Sequence, residues 1–396
     1  MTRSLTLALS LVLSAALFAQ ANDPLRTISG TTPAVGTSPW VTSSGGGWTV
    51  FHGFDAHVTY VSQTGPEEQE NEVFSTNWFG AGVHKNFDRG FVLARGRVSL
   101  EPYTIEEPGY PQIFQYVSNE GNDVQLIDRM RPNDLFGELA VHAGWRPSPS
   151  TLLHVYVAAV GDPALGAAPA NMRASGVDFA EAPFGWDVQE TTHDSASVVT
   201  AGFATRWIGI EASVFHDRVT SGDHTELDLE GPDSTSARVT LTPTPNFALQ
   251  VSRGNVGEDL NQRTITSASI TYGGPMVAVT TLWTRREFDL EGTAFDPLPE
   301  TAYGFEIAFR GTRNTFMARA EHVDRPANFP LQPFGAGRQE ATHLTAGYIF
   351  DLITGRNYRT GVGVNLDYRT QTHDLEHIYG HKPQGIYAFV RFRTGG

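Results

Sequence analysis

The sequence predicts an all-β protein, a transmembrane up-and-down antiparallel β-barrel of about 16 strands (between about 14 and 18) with short periplasmic turns and long extracellular loops. Three observations lead there. Two-faced alternating segments recur along most of the chain, the connections between them alternate short and long, and aromatic residues cluster at both ends of the apolar faces.

The first such segment, WTVFHGFDAHVTYVS at 48 to 62, shows the pattern. Its even positions, Trp48, Val50, His52, Phe54, Ala56, Val58 and Tyr60, are mostly apolar or aromatic, and its odd positions include Thr49, Gly53, Asp55, His57 and Thr59. A half-buried strand of a soluble sandwich alternates in the same way, so the repeats and their connections have to decide. The short connections are 86–90, 146–150, the bend at Arg206, 242–246, 273–275, 311–314 and 350–356. The long ones are 63–72, 102–133, 161–195, 218–234, 253–263, 288–300, 324–340 and 369–384. Strict alternation puts both chain ends on the short-turn side and makes the strand number even. Phase agrees, as in the apolar sets Ile208, Ile210, Ala212, Val214 and Val362, Val364, Leu366, Tyr368. Trp48, Trp145, Phe247, Tyr272, Phe309, Phe350 and Phe392 map to the short-turn end, and Tyr60, Tyr303 and Tyr368 to the other. A soluble sandwich has no reason to sort its aromatics in this way.

Residues 1–21 read as a secretory signal peptide: one Arg, an apolar run, and an Ala19-Gln20-Ala21 cleavage site. No later apolar run approaches the ~20 residues of a spanning helix. Residues 22–46, rich in Gly, Pro, Ser and Thr, are expected to be an extended periplasmic lead-in, and 47–396 a single barrel domain. The absence of Cys from a chain of 396 residues leaves a closed sheet or a large core to hold it together. The net charge of -15 argues against nucleic acid as a partner. Mean hydropathy of -0.24 is compatible with a barrel, since only alternate residues need be apolar.

The predicted location is the outer membrane of a Gram-negative bacterium. The expected partners are outer-membrane lipid, lipopolysaccharide and the barrel-assembly machinery, which would read the C-terminal strand GIYAFVRF; the oligomeric state is open. Nearly all cations are Arg, with Lys only at Lys85 and Lys382. Arg forks suit lipopolysaccharide phosphates, although a GC-rich codon bias gives the same composition.

The face opposite the lipid is the predicted lumen lining: Asp55, His57, His84, Arg95, Arg97, Glu138, His142, His154, Glu211, Arg238, Glu306, Arg310, Arg319, Glu321, His343, Asp367 and Arg391. Charges of both signs alternate there, so pairing across strands is expected. About sixteen strands enclose room for an aqueous channel unless loops fill it. The loops 102–133 and 161–195 are long enough to do so. No enzyme signature is present: no G-x-S-x-G, H-E-x-x-H, P-loop or dinucleotide fingerprint. A rim hydrolase would rest on His216 alone.

Four sets of stretches carry a resemblance: VSLEPYT (98–104) with GYPQIFQ (109–115); DRMRPNDLFGELA (128–140); GDPALG (161–166) with EAPFGWDVQETTH (181–193); and IYGHKPQGIYAFVRF (378–392). In this order they resemble a group of functionally uncharacterised outer-membrane-type barrel proteins of Gram-negative bacteria. The resemblance implies a barrel and a connection with copper or other metal handling. The group's loops are richer in histidine; here Asp134, Gln189, His193 and His381 match its pattern and most of the other histidine positions do not. With His373 and His377, which are spaced four apart with His381, the remnant forms the candidate set for a divalent metal: Asp134, His193, His373, His377 and His381. The leading expectation is a non-enzymatic channel or transport protein for small polar solutes or ions. The alternative is a plugged barrel with a copper or zinc site in its extracellular loops.

Overall fold

The structure, a computed structural model, describes residues 27–36, 38–64, 69–118, 124–126, 128–190, 192–218, 224–227, 229–257, 262–289, 299–326, 338–373 and 376–395. The segment 1–21 expected as a signal peptide lies outside the described residues.

Sixteen antiparallel strands close into one barrel. They are β1 (Trp48–Thr64), β2 (Gln69–Phe87), β3 (Gly90–Val98), β4 (Phe136–Ser148), β5 (Thr151–Gly161), β6 (Ser195–Ala204), β7 (Ile208–His216), β8 (Ser234–Thr244), β9 (Phe247–Val256), β10 (Arg263–Gly273), β11 (Val277–Phe288), β12 (Glu300–Arg310), β13 (Asn314–Pro326), β14 (Arg338–Thr354), β15 (Tyr358–Gln371) and β16 (Gln384–Thr394). Each strand pairs with its sequence neighbours, and β16 returns to β1 through the register Gly385 with Gln63 to Arg393 with Asp55. The strands run from 9 to 19 residues, enough for the ~9–11 that a tilted strand needs to cross a bilayer.

Inside–outside alternation holds as predicted. Val50, Val58 and Tyr60 of β1 are exposed, whereas Phe51, Asp55, His57, Thr59 and Val61 are buried. Trp48, Trp145, Tyr272, Phe309, Phe350 and Phe392 are exposed near the short-turn end, and Tyr60 and Tyr303 near the other. An exposed apolar band closed on itself is tolerable only in lipid.

What the barrel encloses is a packed core. Ile28, Trp40, Phe51, Trp78, Phe91 and Met172 form one buried cluster, and Ile113, Phe114, Phe184, Val188 and Tyr379 another. Phe74 and Tyr110 stack with ring centroids 4.0 Å apart. Close packing requires small residues on the wall. A Cβ on Gly202 would collide with the His154 ring of the neighbouring strand, so glycine there is what lets the imidazole lie flat against β6.

Within the long connections, Glu101–Thr104 forms α1, Trp186–Gln189 α2 and Glu376–Tyr379 α3, each a single turn. Helix α3 stops at Gly380, whose φ of 73° is the left-handed conformation that ends helices. The histidines spaced four apart therefore share no longer helix.

Candidate functional site: a filled lumen and its remaining cleft

The predicted lumen residues all lie on the inner wall, and the structure turns them from the lining of an open bore into the socket of two inserted segments. All seventeen are buried except Arg310, which is half-buried. Cross-strand pairing is extensive. Arg238 bonds Glu211 from both Nε (3.0 Å) and Nη2 (2.9 Å), and the two are register partners on β8 and β7. Glu306 on β12 takes Arg319 of β13 at 3.0 Å. His343 lies 3.0 Å from Asp367, and Arg369 reaches the same carboxylate at 2.9 Å. His142 and His154 touch at 3.1 Å, while His57 lies 3.0 Å from Asp55. His84 is buried beside the Phe91 ring.

The first inserted segment is N-terminal. Residues 22–46 are expected as a periplasmic lead-in, but from Thr27 onward the chain turns into the barrel. Thr27–Ser29 pairs with Thr32–Pro33 in a small buried hairpin. Arg95 is its chief anchor, donating to the Thr27 carbonyl (2.9 Å) and the Gly30 carbonyl (2.9 Å) while its other edge clasps Glu138 at 2.8 Å twice. Glu138 also accepts from the Gly30 N–H (3.1 Å) and the Tyr156 hydroxyl (2.8 Å). Arg238 gives its two Nη atoms to the hydroxyls of Thr32 (2.7 Å) and Thr31 (2.9 Å). The segment leaves past Gly36, which is pressed against Gly273, and Trp40, then pairs through Val41–Gly45 with the start of β1. Its short uncharged composition, TISGTTP, does not distinguish such a strap from a linker.

The second insert is the third long loop, 162–194, nearly all of it buried. Wall arginines hold its carboxylates. Asp178 receives Arg310 (Nε 2.8 Å), Arg393 (2.7 Å) and Arg391. Asp187 receives Arg286 and Arg325. In the reverse sense, Arg173 of the loop inserts between Glu190 (2.5 Å) and wall Glu306 (2.7 Å), and Glu321 accepts the N–H groups of Phe184 (2.9 Å) and Gly185 (3.0 Å). Burial alone would raise the Asp178 carboxyl, but the guanidinium groups of Arg310, Arg393 and Arg391 hold it far below the usual carboxylate range. Nothing in the loop's own sequence singles out Asp178 and Asp187. A cue was present, since Arg286, Arg310, Arg319, Arg325, Arg391 and Arg393 crowd β11–β13 and β16 with too few wall carboxylates to match.

The motifs behind the resemblance lie at the seams between these parts. Glu101 is buried and accepts from the N–H of Asn77 (3.0 Å) and both the N–H (2.8 Å) and side-chain amide (3.0 Å) of Asn133. Asp128 accepts from the Tyr379 hydroxyl at 2.9 Å, tying the second loop to the eighth. Ala164 and Gly166 of GDPALG donate their N–H groups to Ser213 and Ser252 across the barrel.

Between the third loop, the second loop and the wall of β1–β4 a cleft of about 90 Å³ remains. Asp55, His57, Arg97, Glu181, Asp194 and Arg319 are among its polar walls, with Trp78, Tyr110, Phe179 and Trp186 as aromatic ones. Burial pushes the Glu101 carboxyl up to about 7 against the lowering effect of its bonds from Asn133 and Asn77. Burial, then the nearby Asp367, does the same to Glu181, also to about 7. Asp194 rises to about 6 through burial and the charge of Asp134. The cleft thus carries carboxyls that change protonation near neutrality.

The candidate metal residues are not brought together as one site. Asp134 and His193 border the same cleft but are separately engaged: Asp134 with His224 (2.6 Å) and Arg218 (3.0 Å), His193 with Asp162 (3.3 Å). His373 and His381 are solvent-exposed on the eighth loop, flanking Glu376 at 2.9 and 2.8 Å. The side chain of His377 lies outside the described residues. Among the described residues, no group of three or more His, Cys, Asp or Glu is placed to hold a metal ion. The loops are knit by carboxylate–Arg and carboxylate–His contacts that occupy the would-be ligands. His216, the rim histidine, lies 2.6 Å from Asp233.

No known protein family's sequence profile matches this chain, and no curated protein sequence does. The fold does match solved structures. OmpF of Salmonella typhi in complex with daunomycin is 10% identical with a TM-score of 0.54, covering 89% of this chain and 100% of its own. The anion-selective porin of Comamonas acidovorans is 12% identical with a TM-score of 0.54, over 89% and 100%. A loop-deletion variant of OmpT, an outer membrane protein of Vibrio cholerae, is 10% identical with a TM-score of 0.52, over 88% and 99%. At such identities the likeness concerns architecture alone: this chain shares with those outer-membrane proteins the fold of a closed antiparallel barrel, and its outer belt is suited to lipid.

Proposed function

We propose that this chain is an outer-membrane transport protein for small polar solutes or ions, without catalysis of its own, and that passage runs beside the third loop instead of through an open bore. The observation that carries the reading is the cleft between that loop and β1–β4, walled by charges of both signs inside a barrel into which the strap and the third loop are packed. Charged walls at close quarters select among solutes that must shed part of their hydration to enter. Two of the predicted lumen-lining groups, Arg95 and Glu138, fix the N-terminal strap. Arg97 and Arg319 border the cleft, while Glu321 holds the third loop at Phe184 and Gly185. In this reading the barrel's partners are outer-membrane lipid, lipopolysaccharide and the machinery that inserts barrels.

The test is single-channel conductance of refolded protein in planar bilayers, beside a variant lacking residues 27–36. Small steps of stable size are expected from the intact chain and larger ones from the variant. Silence from both, with heat-modifiable migration showing that they are folded, would overturn the proposal.

A further inference from the structure

The cleft beside the third loop holds polar atoms of both signs that have no partner among the described residues. Arg319, 2% exposed, gives Nε to Glu306 and Nη1 to the Glu181 carbonyl (3.3 Å), and its Nη2 is left over. Glu181, 3% exposed, accepts from Asn365 at 2.7 Å on Oε2, and its Oε1 is left over. Asp55, 5% exposed, keeps Oδ2 unpaired although Oδ1 faces His57. Arg131 of the second loop lies over the Trp186 ring, 4.7 Å from its centroid, with Nη1 unpaired. All four side chains border the one cleft.

Buried donors and acceptors are costly to leave unpaired. A simple anion would satisfy the two guanidinium groups and be opposed by the two carboxylates; a simple cation would meet the reverse. A solute that carries an ammonium and a carboxylate on a short frame meets both demands at once, and a space of about 90 Å³ suits a molecule of a few heavy atoms. We propose that the cleft is a binding site for a small zwitterion of the amino-acid class, its ammonium held by Glu181 and Asp55 and its carboxylate by Arg319 and Arg131. This rests on the transport reading for its purpose, though not for its chemistry.

Trp78 and Trp186 border the cleft and supply a fluorescence signal. The experiment titrates refolded, detergent-solubilised chain with L-alanine, and in parallel with acetate and with methylammonium, the two halves of its charge pattern. Saturable binding of L-alanine is expected, at least tenfold tighter than either half. Glu181→Gln, which keeps the shape and the Asn365 contact, and Arg131→Met on the second loop should each weaken it at least tenfold. Arg285→Gln, at an exposed pair with Glu287 far from the cleft, should leave it unchanged. Absence of saturable L-alanine binding, equal binding of acetate or methylammonium, or indifference of both cleft variants in folded protein would overturn the inference. Conductance without alanine binding would remove this site and leave the transport reading standing, whereas alanine binding by a protein that never conducts would do the opposite.

Discussion

The two inserts fill the same barrel by different physics. The N-terminal strap carries no charge of its own between Thr27 and Gly36, so wall arginines bond its carbonyls and hydroxyls while keeping their carboxylate partners, Glu138 and Glu211, on the wall. The third loop brings its own carboxylates, Asp178 and Asp187, to arginines of the wall. Remove the strap and Arg95 and Arg238 remain paired. Remove the third loop and Arg310 and Arg393 lose the carboxylate they share, Asp178, while Arg286, Arg319 and Arg391 keep Glu300, Glu306 and Asp351 on the wall. One insert is a neutral filler, and the other completes the wall's charge balance.

The sharpest way to break the comparison is Asp178→Ala. It strips one carboxylate from Arg310, Arg391 and Arg393, and orphaning a buried pair costs about 3–5 kcal/mol. The temperature of heat-modifiable unfolding should fall markedly and the third loop should become cleavable by added protease; an unchanged pattern would mean that the loop is held elsewhere. Arg95→Met comes next. Losing charge-assisted bonds worth roughly 1.5–3 kcal/mol should free the strap, detected as protease access near residue 30, while the third loop stays protected. Gly30→Ala should act in the same direction with about 1–3 kcal/mol, because φ is +53° and the added Cβ would lie 2.6 Å from the Asp162 carbonyl oxygen. Equal stability of the alanine variant would show that the hairpin can shift.

The smallest effect expected concerns pH. The Glu101 carboxyl is raised from 4.5 to about 7, so the folded chain holds its proton more tightly than the unfolded one between those values. Stability from this group is therefore present at acid pH and lost as pH rises through about 7. Glu101→Gln should match the parent near pH 4.5 and exceed it near pH 8 in urea-unfolding midpoints. A parent that gains on the variant as pH rises would contradict the assignment.

The barrel was legible because its signals are periodic. An apolar face at every second residue and a short–long alternation of connections survive whatever fills the lumen. The inner wall was legible for the same reason: phase alone places Glu306 and Arg319 inside. What occupies the interior was only half legible. The length of 161–195 suggests an inward loop, yet its carboxylates look like those of any solvated loop until the surplus of arginines facing them is counted. The strap had no such cue, because Thr27, Thr31 and Thr32 act through backbone carbonyls and hydroxyls that every linker possesses. Among the described residues the metal set does not come together, for a further reason. A histidine beside a carboxylate in sequence says nothing about which arginine or second histidine will claim that carboxylate in space, as His224 and Arg218 claim Asp134.

The strap also meets the seam of the barrel. It enters the lumen from the head of β1, the strand whose other stretch is zipped to β16, and the Thr394 hydroxyl near the end of β16 joins the Pro39 carbonyl (3.0 Å) to the Phe54 N–H (2.9 Å). The strap inside the lumen and the strand pair that closes the sheet are thus tied together at one hydroxyl, that of Thr394, and loosening either should be felt by the other.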